Sequence, residues 1–222
     1  MITFGRITTL AAAGVLAAGV WGSAEAATMT VSQTFEGNDC SGFFGQGFGS
    51  CNIFVNDETG QRIELSPVIA KFDNEDATKN EFNTALYPSI TGAEFSFDAS
   101  ATGSWTYTPG ADDPGVRYWA AKGGNNFNLF WTVDETATQV GGACYGGGNL
   151  YTLACLSEAL TVQGGLFATP INPNNGKNFG LSHLTFYDSV PPSVVPLPAA
   201  GFLLLGALGG LGLMARRRRR AA

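Results

Sequence analysis

The chain has 222 residues, 12 Lys+Arg, 18 Asp+Glu and a net charge of −6 at pH 7. That acidic balance excludes binding to nucleic acid or anionic lipid through a basic surface. A single histidine, four cysteines and no Cys-x-x-Cys pair exclude the common zinc frameworks.

Residues 1–26 read as a secretory signal peptide. Arg6 supplies a positive start, Leu10–Val20 is an apolar run, and Ala24-Glu25-Ala26 is a small-x-small cleavage site ahead of Ala27. The segment predicts export by the Sec machinery.

Residues 27–190 are long enough for one domain with a real core. Short runs of Phe, Tyr, Trp, Val and Thr alternate with Gly, Asn, Asp and Pro turns, which predicts an all-β fold. Expected strands are Thr28–Phe35, Cys51–Val55, Arg62–Leu65, Glu94–Asp98, Gly103–Thr108, Val116–Lys122, Phe127–Val133 and Leu181–Tyr187, with a weaker one at Ala159–Gln163. Asp76–Leu86 has room for one or two helical turns. Spacing of about ten residues predicts consecutive antiparallel strands, in a meander or Greek key. The expected architecture is an antiparallel β-sandwich of jelly-roll or Greek-key type.

Cys40 and Cys51 are separated by ten residues, as are Cys144 and Cys155. Four cysteines allow three connectivities. The local pairing, Cys40–Cys51 and Cys144–Cys155, is expected because both intervening loops are glycine-rich. Closing a loop of this size stabilises by roughly 3 kcal/mol in the chain-entropy model. Disulfides fit an oxidising compartment.

No catalytic, cofactor or metal site emerges. His183 lies in LSHLTFY without a nucleophile motif, and reads as a packed or hydrogen-bonded strand histidine. Acidic clusters occur at Glu36/Asp39, Asp57/Glu58, Asp73/Glu75/Asp76, Asp112/Asp113 and Asp134/Glu135. Two carboxylates could run glycoside hydrolysis, and carboxylates with carbonyls could hold calcium, with 73–76 the best stretch. Solvated turns are the default. Trp105, Tyr107, Tyr118, Trp119, Phe127, Phe130 and Trp131 crowd one region. Strand neighbours point to opposite faces, so either both sheet faces are covered or an aromatic strip is exposed for a sugar or a protein.

Residues 191–198 hold four prolines and read as a stiff spacer. Residues 199–215 are 17 uncharged residues, a helix roughly 25 Å long against a hydrocarbon core of ~30 Å. Arg216, Arg217, Arg218, Arg219 and Arg220 follow, within a terminal segment 216–222. They stay cytoplasmic by the positive-inside rule, which puts the body across the membrane. Gly206 and Gly210 have GxxxG spacing.

The motif Val195-Pro196-Leu197-Pro198-Ala199, the short apolar helix and the Arg cluster together resemble the PEP-CTERM sorting signal, in its VPLPA variant. Leu197 stands where the usual form has Glu. The stretch from Ser104 to Val133, with the late LSHLTFYD, is similar to the body of other exported proteins of that class. The resemblance implies an exosortase-type processing enzyme as partner and exopolysaccharide as context. It also implies a chain first anchored in the inner membrane and later found at the outer surface or outside. Removing Arg6, Glu25 and the five terminal arginines leaves six basic and 17 acidic residues, a net charge of −11. The expected role is a non-catalytic cell-surface or matrix protein. A carbohydrate- or calcium-binding module and a secreted glycosidase-like enzyme are the alternatives.

Overall fold

The computed structural model describes residues 27–189 apart from 58 and 147. The described residues are all-β in character, with strands β1 (Thr28–Glu36), β2 (Asn52–Asn56), β3 (Arg62–Asp73), β4 (Glu81–Phe82) and β5 (Phe95–Phe97). β6 (Thr102–Tyr107), β7 (Val116–Gly123), β8 (Asn126–Asp134), β9 (Gly164–Ala168) and β10 (His183–Asp188) complete them. One short helix, α1, spans Leu153–Ser157.

A seven-stranded sheet runs β1-β8-β7-β10-β3-β2, with β4 also on β3, and a three-stranded sheet runs β5-β6-β9. All pairings are antiparallel. The expected succession of neighbouring hairpins holds for β2–β3, β3–β4, β5–β6 and β7–β8 only. β1 crosses to β8, and β10 inserts between β7 and β3.

The turn from β7 to β8 shows how sequence fixes register. Gly124 has φ +59°, in the left-handed region, while Asn125 does not, as a two-residue hairpin with glycine first requires. A Cβ on Gly124 would also lie 2.9 Å from the Phe179 ring.

Both faces of the large sheet are covered, which resolves the aromatic alternation. Tyr118, Leu129, Trp131 and Tyr187 point to one side, against Phe44, Leu156 and the four half-cystines. Trp119, Phe130, Leu184 and Phe186 point to the other, against Phe95, Trp105, Tyr107 and Phe167 of the small sheet. Central strands buried on both faces read as near-continuous apolar runs, as β7 and β8 do. All seven rings of the sequence cluster are buried, so they form no exposed strip.

Two local expectations are corrected, and a third is met by its shorter alternative. β3 continues to Asp73 rather than ending at Leu65. Pro67 does not stop it, because Pro67 falls where pairing to β2 ends and pairing to β10 begins at Val68. Ala159–Gln163 is not a strand. Val162 makes a single bridge to Val116, and the strand follows at Gly164, where glycines hid it. Asp76–Leu86 holds one 3-10 turn, Ala77–Lys79, and then β4.

Candidate functional site

Both local disulfides form, Cys40–Cys51 and Cys144–Cys155, and no free cysteine remains among the described residues. The first one positions the most unusual group in the core. Asp39 precedes Cys40 and is fully buried. Its Oδ1 lies 2.8 Å from His183 Nε2, and its Oδ2 accepts the Thr185 hydroxyl at 2.5 Å. His183, Thr185 and Tyr187 alternate along β10 and therefore share a face. The Tyr187 hydroxyl lies 3.5 Å from Cys51 Sγ and 3.8 Å from Cys40 Sγ. On β7, Lys122 pairs in register with His183 and donates from Nζ to the Gly124 carbonyl at 2.5 Å.

The electrostatics are those of a buried ionised carboxylate. Burial works against the charge on Asp39. The His183 hydrogen bond and charge, the Thr185 hydroxyl and the Cys40 backbone N–H outweigh it, lowering the pKa from 3.8 to about 2. Lys122 is shifted down, chiefly by burial, with Asp39 opposing. Tyr187 is held well above its ordinary range by burial and by Asp39.

An acid, a histidine and a hydroxyl in one cluster invite comparison with a nucleophile relay. The connectivity is wrong for one. A relay runs hydroxyl to imidazole to carboxylate. Here the imidazole and the hydroxyl both engage the carboxylate. His183 and Asp39 are 4% and 0% exposed, so no substrate reaches them. His183 is the hydrogen-bonded strand histidine expected from the sequence. The sequence placed Asp39 only in a loose pair with Glu36. The signal for its role was its place beside Cys40.

The other acidic clusters cap turns. Asp57 Oδ1 accepts from the N–H and hydroxyl of Thr59 and from Gln61 N–H. Asp73 Oδ1 accepts from Glu75 and Asp76 N–H, and Asp76 Oδ1 from the N–H and hydroxyl of Thr78. Asp134 binds Thr136 in the same way, and Asp113 takes Gly110 N–H. Hydrogen bonds to the ionised form lower the pKa values of Asp57, Asp76 and Asp134. Among the described residues no group of three or more His, Cys, Asp or Glu is arranged to hold a metal.

One open cleft of about 860 Å³ lies between the β2–β3 turn and the second disulfide loop. Asn56, Asp57, Thr59, Asn149, Tyr151 and Thr152 line it. Tyr151 is held there by its hydroxyl donating to the Phe54 carbonyl and its ring against Phe35.

Ala27 precedes β1 and its carbonyl accepts Glu135 N–H at 2.8 Å. Ala24, Ala26, the sorting motif Val195–Ala199, the apolar segment and Arg216–Arg220 lie outside the described residues. No helix of the described residues is long and apolar enough to cross a membrane. No model of a known family matches the chain, and no curated protein or solved structure is significantly similar to it.

Proposed function

We propose that this chain is an exported, non-catalytic protein of the cell surface or extracellular matrix, released from its membrane tail by an exosortase-type enzyme and associated with exopolysaccharide. The observation that carries the reading is the fixed order of Val195–Ala199, a 17-residue uncharged segment and five arginines. Two disulfides fit an oxidising compartment. A body of net charge −11 fits a soluble, self-repelling surface protein. The packing of the small sheet on the large one supports a β-sandwich of Greek-key or jelly-roll type. The buried Asp39–His183 pair supports a structural, non-catalytic body.

The test is the intact mass of the protein from native envelope and from medium. Loss of the segment beyond Pro196–Pro198 is expected, and added mass at the new end would mark covalent attachment. Retention of Arg216–Arg220 in both fractions would reduce the tail to a permanent anchor and end the processing reading.

A second reading, a carbohydrate-binding module, is favoured by the cleft between the β2–β3 turn and the second disulfide loop. Amides of Asn56 and Asn149 beside Tyr151 are groups that hydrogen-bond sugar hydroxyls. Titration with acidic and neutral polysaccharides, read as a shift in melting temperature that Asn149→Ala abolishes, tests it. No shift with any polysaccharide counts against it.

A further inference from the structure

We propose that the outer edge of β1 is a self-association surface, on which a second copy of this chain adds its own β1, antiparallel and centred on Ser32. The backbone bonds next to β1 decide which of its groups face outward. Gly37 N–H donates to the Asn125 carbonyl at 2.7 Å, and Glu135 N–H to the Ala27 carbonyl at 2.8 Å. Both continue the register that pairs Thr28 with Asp134 and Glu36 with Asn126. Hydrogen-bonded pairs alternate along an antiparallel ladder, so odd-numbered residues of β1 bond to β8. The N–H and C=O groups of Thr28, Thr30, Ser32, Thr34 and Glu36 therefore point away from the sheet. All five residues are exposed. Among the described residues, the one hydrogen bond to that row is a 3.5 Å contact from Gln33 Nε2 to the Thr34 carbonyl.

The second disulfide loop touches β1 through inward-facing side chains, with Leu150 N–H donating to Gln33 Oε1 at 3.3 Å, but the edge lacks the charges, prolines and bulges that usually block strand addition. Residues 28–35 carry no charge and no proline, and the nine pairs with β8 run without a register shift. The strands ending the other sheet margins are short: β2 and β9 have five residues and β5 has three.

The chemistry of the row selects a second copy as its occupant. An antiparallel pair centred on Ser32 sets Met29 against Phe35, Val31 against Gln33, and Thr30 against Thr34. Met29 is 44% exposed, and gains an aromatic neighbour there. Threonine pairs extend the hydroxyl contact already made between Thr30 and Thr132 at 3.3 Å. Glu36 meets Thr28, so no like charges oppose each other. The outward groups of Thr28, Thr30 and Ser32 meet those of Glu36, Thr34 and Ser32 in the copy. The contact is isologous, closes on itself, and joins the two large sheets into one.

The test uses the full chain in mild detergent. Ser32→Cys puts two thiols on the two-fold axis in a hydrogen-bonded pair, with Cα atoms about 5.5 Å apart and within disulfide reach. Mild oxidation is expected to give a covalent dimer. Lys177→Cys, in the exposed turn after Asn172 and with no contact to β1, is expected to stay monomeric. Ser32→Lys sets two ammonium groups against each other and is expected to weaken association about fivefold in sedimentation equilibrium, without moving the melting temperature of the monomer. The proposal is overturned if Ser32→Cys yields no more covalent dimer than Lys177→Cys. It is equally overturned if the chain is monomeric throughout. A dimer whose strength Ser32→Lys leaves unchanged also overturns it, since its contact then lies elsewhere, the Gly206/Gly210 segment included.

Discussion

Asp39 and His183 stand 144 residues apart in the chain and 2.8 Å apart in the core. One end of the pair hangs on a disulfide loop and the other lies on β10 in the middle of the large sheet. Breaking a buried pair from one side leaves an uncompensated group in a dry site, at a cost of about 3 kcal/mol or more. Asp39→Ala is expected to lose that much in urea denaturation at neutral pH. Asp39→Ala combined with His183→Leu is expected to lose less than the sum of the single changes, because neither partner is then stranded. Strict additivity would mean that the pair contributes no coupling.

Acid should act on the same group. The folded pKa of Asp39 is lowered from 3.8 to about 2, so its stabilisation is complete above 3.8 and disappears as pH falls toward 2. The linked loss is about 2 kcal/mol. Asp57, Asp76, Asp98 and Asp134 are lowered too, by hydrogen bonds from neighbouring hydroxyls and N–H groups, and act in the same direction. The denaturation midpoint is expected to fall steeply over that interval and less steeply in Asp39→Asn. A midpoint indifferent to pH there would contradict the ionised assignment.

Alkali should unfold the domain from the phenols. Burial is the leading cause that raises Tyr87, Tyr107, Tyr118, Tyr151 and Tyr187, with Tyr118 pushed up to about 12. Raised acids stabilise below the unfolded value of 10 and lose that contribution as pH rises beyond it. Ultraviolet titration is expected to show these five ionising together with loss of near-ultraviolet circular dichroism. Early, non-cooperative ionisation of all tyrosines would refute their burial.

The two disulfides should not be equivalent. Each closes a loop of sequence separation 11, so the entropic share is alike, roughly 3 kcal/mol. Removing Cys40–Cys51 by paired Ser substitution also loosens Asp39, whereas removing Cys144–Cys155 does not. The first double variant is expected to be the less stable in guanidinium, and only it should flatten the acid transition. Equal losses would show that the loop does not position Asp39.

Gly165 of the small sheet leaves no room for a side chain beneath Trp119 of the large one. A Cβ there would sit 2.7 Å from the Trp119 ring and 3.0 Å from Trp105 Nε1. Trp119 is also fixed by its Nε1 donating to the Leu166 carbonyl at 3.0 Å. Gly165→Val is expected to cost about 1–3 kcal/mol and to change tryptophan emission. Gly148→Val, where the added carbon meets nothing, is the comparison and should be near neutral.

Most strands were legible from period and turn residues, because β1, β6, β7 and β8 carry aromatic and β-branched runs bounded by Gly, Asn and Pro. β9 was not, since its two glycines are selected by the tryptophans they touch rather than by strand propensity. The second half of β3 was hidden by Pro67, whose lost donor matters little where the strand changes partners. Helix α1 has five residues and depends on Thr152 accepting Cys155 N–H, a cap too short to show a period. The disulfide pairing was readable from spacing. The meeting of Asp39 with His183 was not, because it depends on β10 lying between β7 and β3, and no local pattern encodes that order.

That order has a consequence for how the chain becomes folded. β10 is the last strand described, yet it occupies the centre of the large sheet. A chain delivered N-terminus first can form the hairpin β7–β8 and pair β1 with it, but β3 has no seat until residues 183–188 arrive. The keystone comes last, so the large sheet stays open until nearly all of the described chain has been delivered. Folding then completes in one late, long-range step.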